Sequence, residues 1–171
     1  MTIEDVATYF IFISNNSSYS SCLNCTGKSC RNSLINSMKL NCMIYLTEIT
    51  YYAIYGKPML EEKIKCSNNY FIQYDTNDNY FNHKYFNEKI KYPSNKQIEY
   101  ACKTLSKEIK QLIRTAYDLF SNISCEELMT FCCFTEPFTE SIKRNYKWID
   151  KRLFKFDKSL HDKCIGMKGN D

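Results

Sequence analysis

Long apolar runs are absent from this sequence. No run approaches the roughly 18 consecutive apolar residues of a membrane-spanning helix. The apolar N-terminal stretch opens with Glu4 and Asp5 and lacks a basic flank, unlike a secretory signal. We therefore expect a cytoplasmic protein, whose ten cysteines are mostly reduced thiols.

Glycine and histidine are also scarce. Gly27, Lys28 and Ser29 resemble the end of a phosphate-binding loop, but Cys22 stands where that motif requires an earlier glycine. The two histidines, His83 and His161, have no neighbouring residues that suggest a catalytic triad. Because no acid, base and nucleophile can be named together, we expect a protein that is not an enzyme.

No block of one charge sign occurs in the chain. The 23 basic and 19 acidic residues give a net charge of +4 and a pI of about 8.4. A nucleic-acid-binding domain is expected to have a basic stripe and a pI above roughly 9. The overall charge is therefore too mild to indicate nucleic acid.

The remaining composition is that of one globular domain. The 171 residues are 44% hydrophobic and 25% charged, which suits a domain of ordinary size with a buried core. Apolar periodicity and capping residues predict a mainly α fold, a compact helical domain with a small β-hairpin after the second helix. We expect the domain to span 1–156, with a Ser/Asn/Cys-rich loop inserted at 14–33 and a tail at 157–171. The predicted helices are 3–13, 34–55, 81–90, a single central helix at 96–120, 124–134 and a last one from Pro137 through Leu153.

The order of these parts resembles a known family. The segments EDVATYFI, MKLNCMIYLTEITYYAIYGKPMLEE and SCEELMTFCCFTEPFTESI are similar to the Panacea domain, the antitoxin domain of SocA-like and phage-associated proteins. The chain departs from that family at KCSNNYFIQ, at Cys132 and Cys133, and at Phe138, which replaces a tryptophan. The resemblance implies a mainly helical fold and a role in neutralising a toxin or in phage–host conflict. The matching positions are Lys39, Leu40, Tyr45, Gly56, Lys57, Pro58, Leu128 and Pro137.

Cys22, Cys25 and Cys30 are the candidate metal ligands. Thiolates separated by two residues suit tetrahedral zinc, but no second pair supplies a nearby fourth ligand. Ordinary loop thiols are the favoured interpretation, zinc the alternative, and no other cofactor is expected.

Two groups of residues are candidates for binding a partner. Tyr51, Tyr52 and Tyr55 cannot all face one core, so at least one should be exposed, as tyrosine anchors of protein interfaces are. Basic residues surround Trp148 in the predicted last helix, which a solvated helix face also explains. The candidate partner-binding residues are Lys39, Tyr51, Tyr52, Tyr55, Lys57, Lys143, Arg144, Lys147, Trp148 and Arg152.

These observations leave three functional hypotheses. The first is a protein-binding domain of the antitoxin type. The second is a phage or mobile-element inhibitor of a host defence nuclease. The third is a nucleic-acid-binding regulator that uses the basic last helix, and it predicts a salt-sensitive interaction.

Overall fold

The computed structural model describes residues 1–21, 35–66, 72–76, 90 and 92–156. Within them the fold is mainly helical, with a small hairpin after the second helix, as the sequence predicts. The predicted helix at 81–90, except for its last residue, the turn at 67–69 and the tail from 157 lie outside the described residues. The elements are α1 (Ile3–Ser21), α2 (Ser37–Tyr55), β1 (Ile64–Cys66), β2 (Ile72–Tyr74), α3 (Asn95–Thr104), α4 (Lys107–Phe120), α5 (Cys125–Cys133), α6 (Glu136–Lys143) and a final 3-10 helix (Lys151–Phe156).

Helix α2 is the centre of the fold. Every residue from Leu40 to Ile49 is buried, on all sides of the helix, because α1, α4, α5, β2 and the final 3-10 helix pack around it. A helix covered by neighbours on all sides is a core helix, and its buried Glu48 is paired by hydrogen bonds. It ends where the sequence predicts, since Gly56 adopts the left-handed conformation with φ 69° and closes the last turn.

The predicted central helix at 96–120 is wrong, because the chain forms two helices there. Leu105 is extended, with φ −76° and ψ 129°, and Ser106 accepts a hydrogen bond from the backbone N–H of Ile109 at 3.3 Å. This cap starts α4 anew, while Lys110 Nζ donates to the carbonyl of Cys102 at 2.9 Å and satisfies the end of α3. The apolar spacing runs through the break because Leu105 itself is buried.

Helix α1 starts at the predicted cap but extends beyond the predicted end. Asp5 accepts from the backbone N–H of Thr2 at 2.9 Å, and Thr2 Oγ1 accepts from that of Asp5 at 3.3 Å. The helix then continues to Ser21, so the expected loop at 14–33 is wrong for 14–21. Ser14 is buried, its carbonyl accepts from the Tyr117 hydroxyl at 3.5 Å, and α1 packs on α3 and α4. Tertiary packing can therefore support helix in a sequence with no apolar period.

The predicted last helix is also wrong in length. Helix α6 stops at Lys143, because Asn145 takes a left-handed conformation with φ 53°. The N–H groups of Asn145 and Tyr146 donate to the carbonyls of Ile142 and Ser141 at 2.9 and 2.8 Å. Such bonds are typical of a helix end, and they turn the chain away from the helix axis before Trp148.

The segment 147–149 lies beside the hairpin. β1 and β2 are antiparallel, with Lys65 opposite Gln73. On the other side of β1, the N–H of Cys66 donates to the carbonyl of Lys147 at 2.9 Å, and the N–H of Ile149 donates to that of Ile64 at 2.8 Å. β1 is therefore the middle strand of three, with an edge at 147–149.

Candidate functional site

The end of α2 presents three tyrosine rings in two neighbouring rows. Tyr51 and Tyr55 are one turn apart, and their ring centroids lie 4.4 Å from each other. Tyr52 packs edge-on against Phe154, with centroids 5.8 Å apart and planes at 90°. Tyr51 and Tyr55 form one row and Tyr52 lies in the other. The two rows adjoin, because Tyr52 and Tyr55 are three residues apart and so are neighbours on the helix surface. The prediction that at least one of the three is exposed is confirmed, because Tyr55 is 46% exposed.

Arg152 brings a second segment to the same place. Its side chain is 86% exposed, and Asp150 holds it through Nε–Oδ1 and Nη2–Oδ2 distances of 2.9 and 2.8 Å. The hydrogen bond and charge of Asp150 are the main reasons that the pKa of Arg152 is raised, and Tyr146 and Tyr52 contribute as well. Both tyrosines are therefore within electrostatic range of the guanidinium, and Tyr52 packs on Phe154, two residues further along the chain. We call Tyr51, Tyr52, Tyr55, Tyr146 and Arg152 the tyrosine–arginine surface.

Tyr146 is the residue of this surface that the sequence does not reveal. It is 46% exposed, whereas the helical spacing of Ile142, Tyr146 and Ile149 predicts a buried position. Its exposure follows from the helix end at Asn145. Asparagine after a run of helix formers is a known stop signal and could have indicated the change of direction.

Two predicted basic residues border this surface. Lys143 and Arg144 both pair with Glu140, at 2.8 and 3.5 Å. Arg144 also lies close enough to Asp150 to lower the pKa of that carboxyl, after the larger effect of Arg152. Lys57 is exposed in the loop that follows α2.

Lys147 and Trp148 are not on a helix, which corrects the prediction of one basic helix from Lys143 to Arg152. They lie in the edge segment beside β1, where the Trp148 ring has Lys147 Nζ at 5.1 Å and Lys63 Nζ at 5.8 Å from its centroid. Lys151, in the same predicted helix, points into the fold instead. The helical basis of the nucleic-acid hypothesis is therefore absent.

Lys39 lies far from the other candidates. Its Nζ donates to the carbonyls of Ser121 and Ile123 at 2.6 and 2.7 Å, and so joins the start of α2 to the turn between α4 and α5. Burial lowers its pKa. Twelve residues of helix place it about 18 Å from Tyr51.

Glu48 is a fully buried carboxyl group. Lys151 Nζ donates to its Oε1 at 2.6 Å, and the Tyr74 hydroxyl donates to its Oε2 at 2.8 Å. Lys151 also donates to the carbonyl of Leu60 at 2.6 Å. Burial raises the pKa of Glu48, which its partners offset only in part, and burial and Glu48 raise that of Tyr74. Each group is engaged by protein atoms, so the cluster ties α2, β2 and the final 3-10 helix together.

The candidate zinc ligands Cys22, Cys25 and Cys30 lie outside the described residues, as do His83 and His161. In the described part of the chain, no three His, Cys, Asp or Glu side chains are placed to hold a metal ion. Its six cysteines are free thiols. Burial raises the pKa of Cys125 and of Cys133 to about 11 each, so these thiols stay protonated and poorly nucleophilic near neutral pH.

Comparisons with protein-family models, with curated proteins and with solved structures find no match for this chain. The resemblance to the Panacea domain thus stays a prediction. None of the helices in the described residues has the length and apolar character needed to cross a bilayer.

Proposed function

We propose that this chain is a non-catalytic protein-binding domain of the antitoxin type, which neutralises or redirects a partner protein in toxin–antitoxin or phage–host conflict. The observation that carries the proposal is the tyrosine–arginine surface. Its residues come from two segments about 90 positions apart in the chain, which meet where Tyr52 packs on Phe154, two residues after Arg152.

The chemistry of this surface suits a protein interface. Tyrosine and arginine are enriched among the residues that dominate binding energy. A tyrosine ring offers a large contact area with a polar tip, at low cost in conformational entropy. Ile54, 47% exposed on the same turn of α2, adds apolar area.

The surface is also held in place before any partner binds. Tyr52 rests on Phe154, which in turn contacts the buried Tyr45 ring at 5.9 Å. Arg152 is fixed by Asp150 through two bonds. Side chains that are ordered in the free protein lose less entropy on binding, and this increases affinity.

The resemblance to the Panacea domain supplies the class of partner. It favours a toxin or a defence-system protein. The structural support is for binding in general, and the antitoxin role is the part of the proposal that rests on the resemblance.

The test is capture of the partner from the native host, followed by measurement of its affinity for surface variants. We expect Tyr55→Ala and Tyr146→Ala each to weaken binding at least about tenfold, as removal of an interface anchor does. Tyr100→Ala is the matched control, because Tyr100 is 66% exposed on α3 and belongs to a different face. Equal loss in all three variants, or in none of them, would contradict the proposal.

A further inference from the structure

The edge segment 147–149 has backbone groups that no residue of the described ranges hydrogen-bonds. Lys65 and Trp148 face each other as an antiparallel pair. They do not bond to each other, because the backbone hydrogen bonds join the flanking residues, Cys66 with Lys147 and Ile149 with Ile64. In such a non-hydrogen-bonded pair, the N–H and C=O of each residue point away from the other strand. Those of Trp148 therefore point outward, and no described residue bonds to them.

The side chains on this edge are basic and aromatic. Lys63 and Lys65 are exposed, while Ile64 and Cys66 between and after them are buried. Trp148 lies on the solvent side with Lys65, since facing residues of a strand pair share one side of a sheet. The ammonium groups of Lys63 and Lys147 both lie within 6 Å of its ring centroid, at 5.8 and 5.1 Å.

We propose that an extended acidic segment of a partner protein binds this edge by strand addition. Its backbone hydrogen-bonds to the N–H and C=O of Trp148, and its carboxylates lie against Lys63, Lys65 and Lys147. Strand addition takes its affinity from main-chain bonds and its selectivity from alternate side chains. This inference rests on the proposed function in one respect, that the partner is a protein.

The position of the edge supports this occupant. Residues 147–149 connect Tyr146 to Asp150 and Arg152, so a partner seated on the tyrosine–arginine surface has the edge beside it. A second copy of the chain is a poor occupant, because it would bring its own lysines against these. Lysine on an edge strand opposes such self-pairing.

Nucleic acid fits the edge less well. A phosphate backbone offers no donor to the outward C=O of Trp148, and the charge attraction of three lysines to phosphates would weaken steeply with salt.

The experiment uses Trp148 as its own reporter, because it is the single tryptophan of the chain. The full chain is titrated with a synthetic peptide of about eight residues that alternates glutamate with threonine, followed by Trp148 fluorescence and by calorimetry. Three further ligands are compared: the same peptide methylated on every backbone nitrogen, the peptide with lysine in place of glutamate, and a thymidine oligonucleotide of equal length.

We expect saturable binding with a dissociation constant below about 1 mM, and at least about tenfold weaker binding of the methylated and lysine-containing peptides. The variant Lys65→Glu/Lys147→Glu should also bind the glutamate peptide at least about tenfold more weakly, because it places like charges opposite the ligand. Lys96→Glu on the exposed side of α3 is the matched control and should bind as the wild type does. The methylated peptide tests the pairing without any variant.

Four outcomes would overturn the inference: no saturable change, equal binding of the methylated peptide, equal loss in Lys96→Glu, or tighter binding of the oligonucleotide. The proposed function has a separate readout, since it depends on Tyr55 and Tyr146 and on a captured partner. If the peptide does not bind but a partner is captured, strand addition is refuted and the proposed function is not.

Discussion

Replacing Lys151 by methionine should show how much the buried cluster of Glu48, Lys151 and Tyr74 contributes to the free energy of unfolding. Glu48 is fully buried and Lys151 is 16% exposed, with 2.6 Å between Nζ and Oε1. Removing one partner of a buried pair leaves an uncompensated charge, which costs about 3 to 5 kcal/mol. Because Lys151 is partly open to water, we expect the lower end, about 3 kcal/mol.

Urea unfolding, followed by Trp148 fluorescence and far-ultraviolet circular dichroism, measures this loss. With a slope of about 2 kcal/mol per M for a chain of this size, the midpoint should fall by about 1.5 M. The double variant Glu48→Gln/Lys151→Met should be more stable than Lys151→Met, since an amide keeps an acceptor for the Tyr74 hydroxyl without a buried charge. A double variant destabilised by the full sum of the single changes would refute the coupling.

The pH dependence gives an independent check. Burial already raises the pKa of Glu48, and the charge of Lys151 lowers it in part. Without Lys151, the pKa of folded Glu48 lies further above its unfolded value, so the folded state binds the proton more tightly. Stability then rises as the pH falls through the folded pKa towards the unfolded value. The difference between variant and wild type should therefore shrink as the pH is lowered from neutral towards the ordinary glutamate pKa of 4.5, and a difference that is constant or grows in acid would contradict the reasoning.

Three further predictions concern single positions. Gly56→Ala should cost about 1 kcal/mol in urea unfolding, solely from the left-handed backbone, because a Cβ there meets nothing within 4 Å; a much larger cost would indicate a contact instead. Lys39→Met should cost about 2 kcal/mol, through loss of two charged hydrogen bonds to carbonyls, whereas the exposed Lys96→Met should change stability by less than about 0.5 kcal/mol. Cys125 and Cys133 have pKa values of about 11 in the folded chain. At about pH 8, iodoacetamide should therefore alkylate them at least about a hundredfold more slowly in the folded chain than in the urea-unfolded chain, as measured by mass spectrometry. Similar rates in both states would exclude protection by burial.

Local hydrogen bonds explain which parts of the fold could be predicted. Thr2 with Asp5 and Ser124 with Glu127 close caps over three residues, and Gly56 ends α2 by its own conformational freedom. Such signals act within one helical turn. The starts of α1 and α5 and the end of α2 therefore follow from the sequence.

Apolar spacing predicts too long a helix where the helix breaks without interrupting that spacing. Leu105 is buried at the end of α3 and fits the same seam that α4 continues, so periodicity alone predicts one helix. Ser106 carries the local signal, but a serine in a helix interior and a serine at a cap look alike until its hydroxyl is seen to accept from Ile109. The end of α6 is hidden in a similar way, because the apolar spacing of Ile142, Tyr146 and Ile149 continues past Asn145.

By itself, the sequence determined that this chain is mainly helical, where most of its helices start, and that one tyrosine at the end of α2 has to face solvent. Tertiary structure alone decided that Tyr52 packs on Phe154 and so lies near Arg152, that Lys151 pairs with buried Glu48, and that Trp148 lies on a sheet edge. The physical reason is range. Caps and periodicity depend on neighbours within a turn, whereas these contacts join residues about 80 to 100 positions apart, whose meeting is set by how all the helices pack around α2.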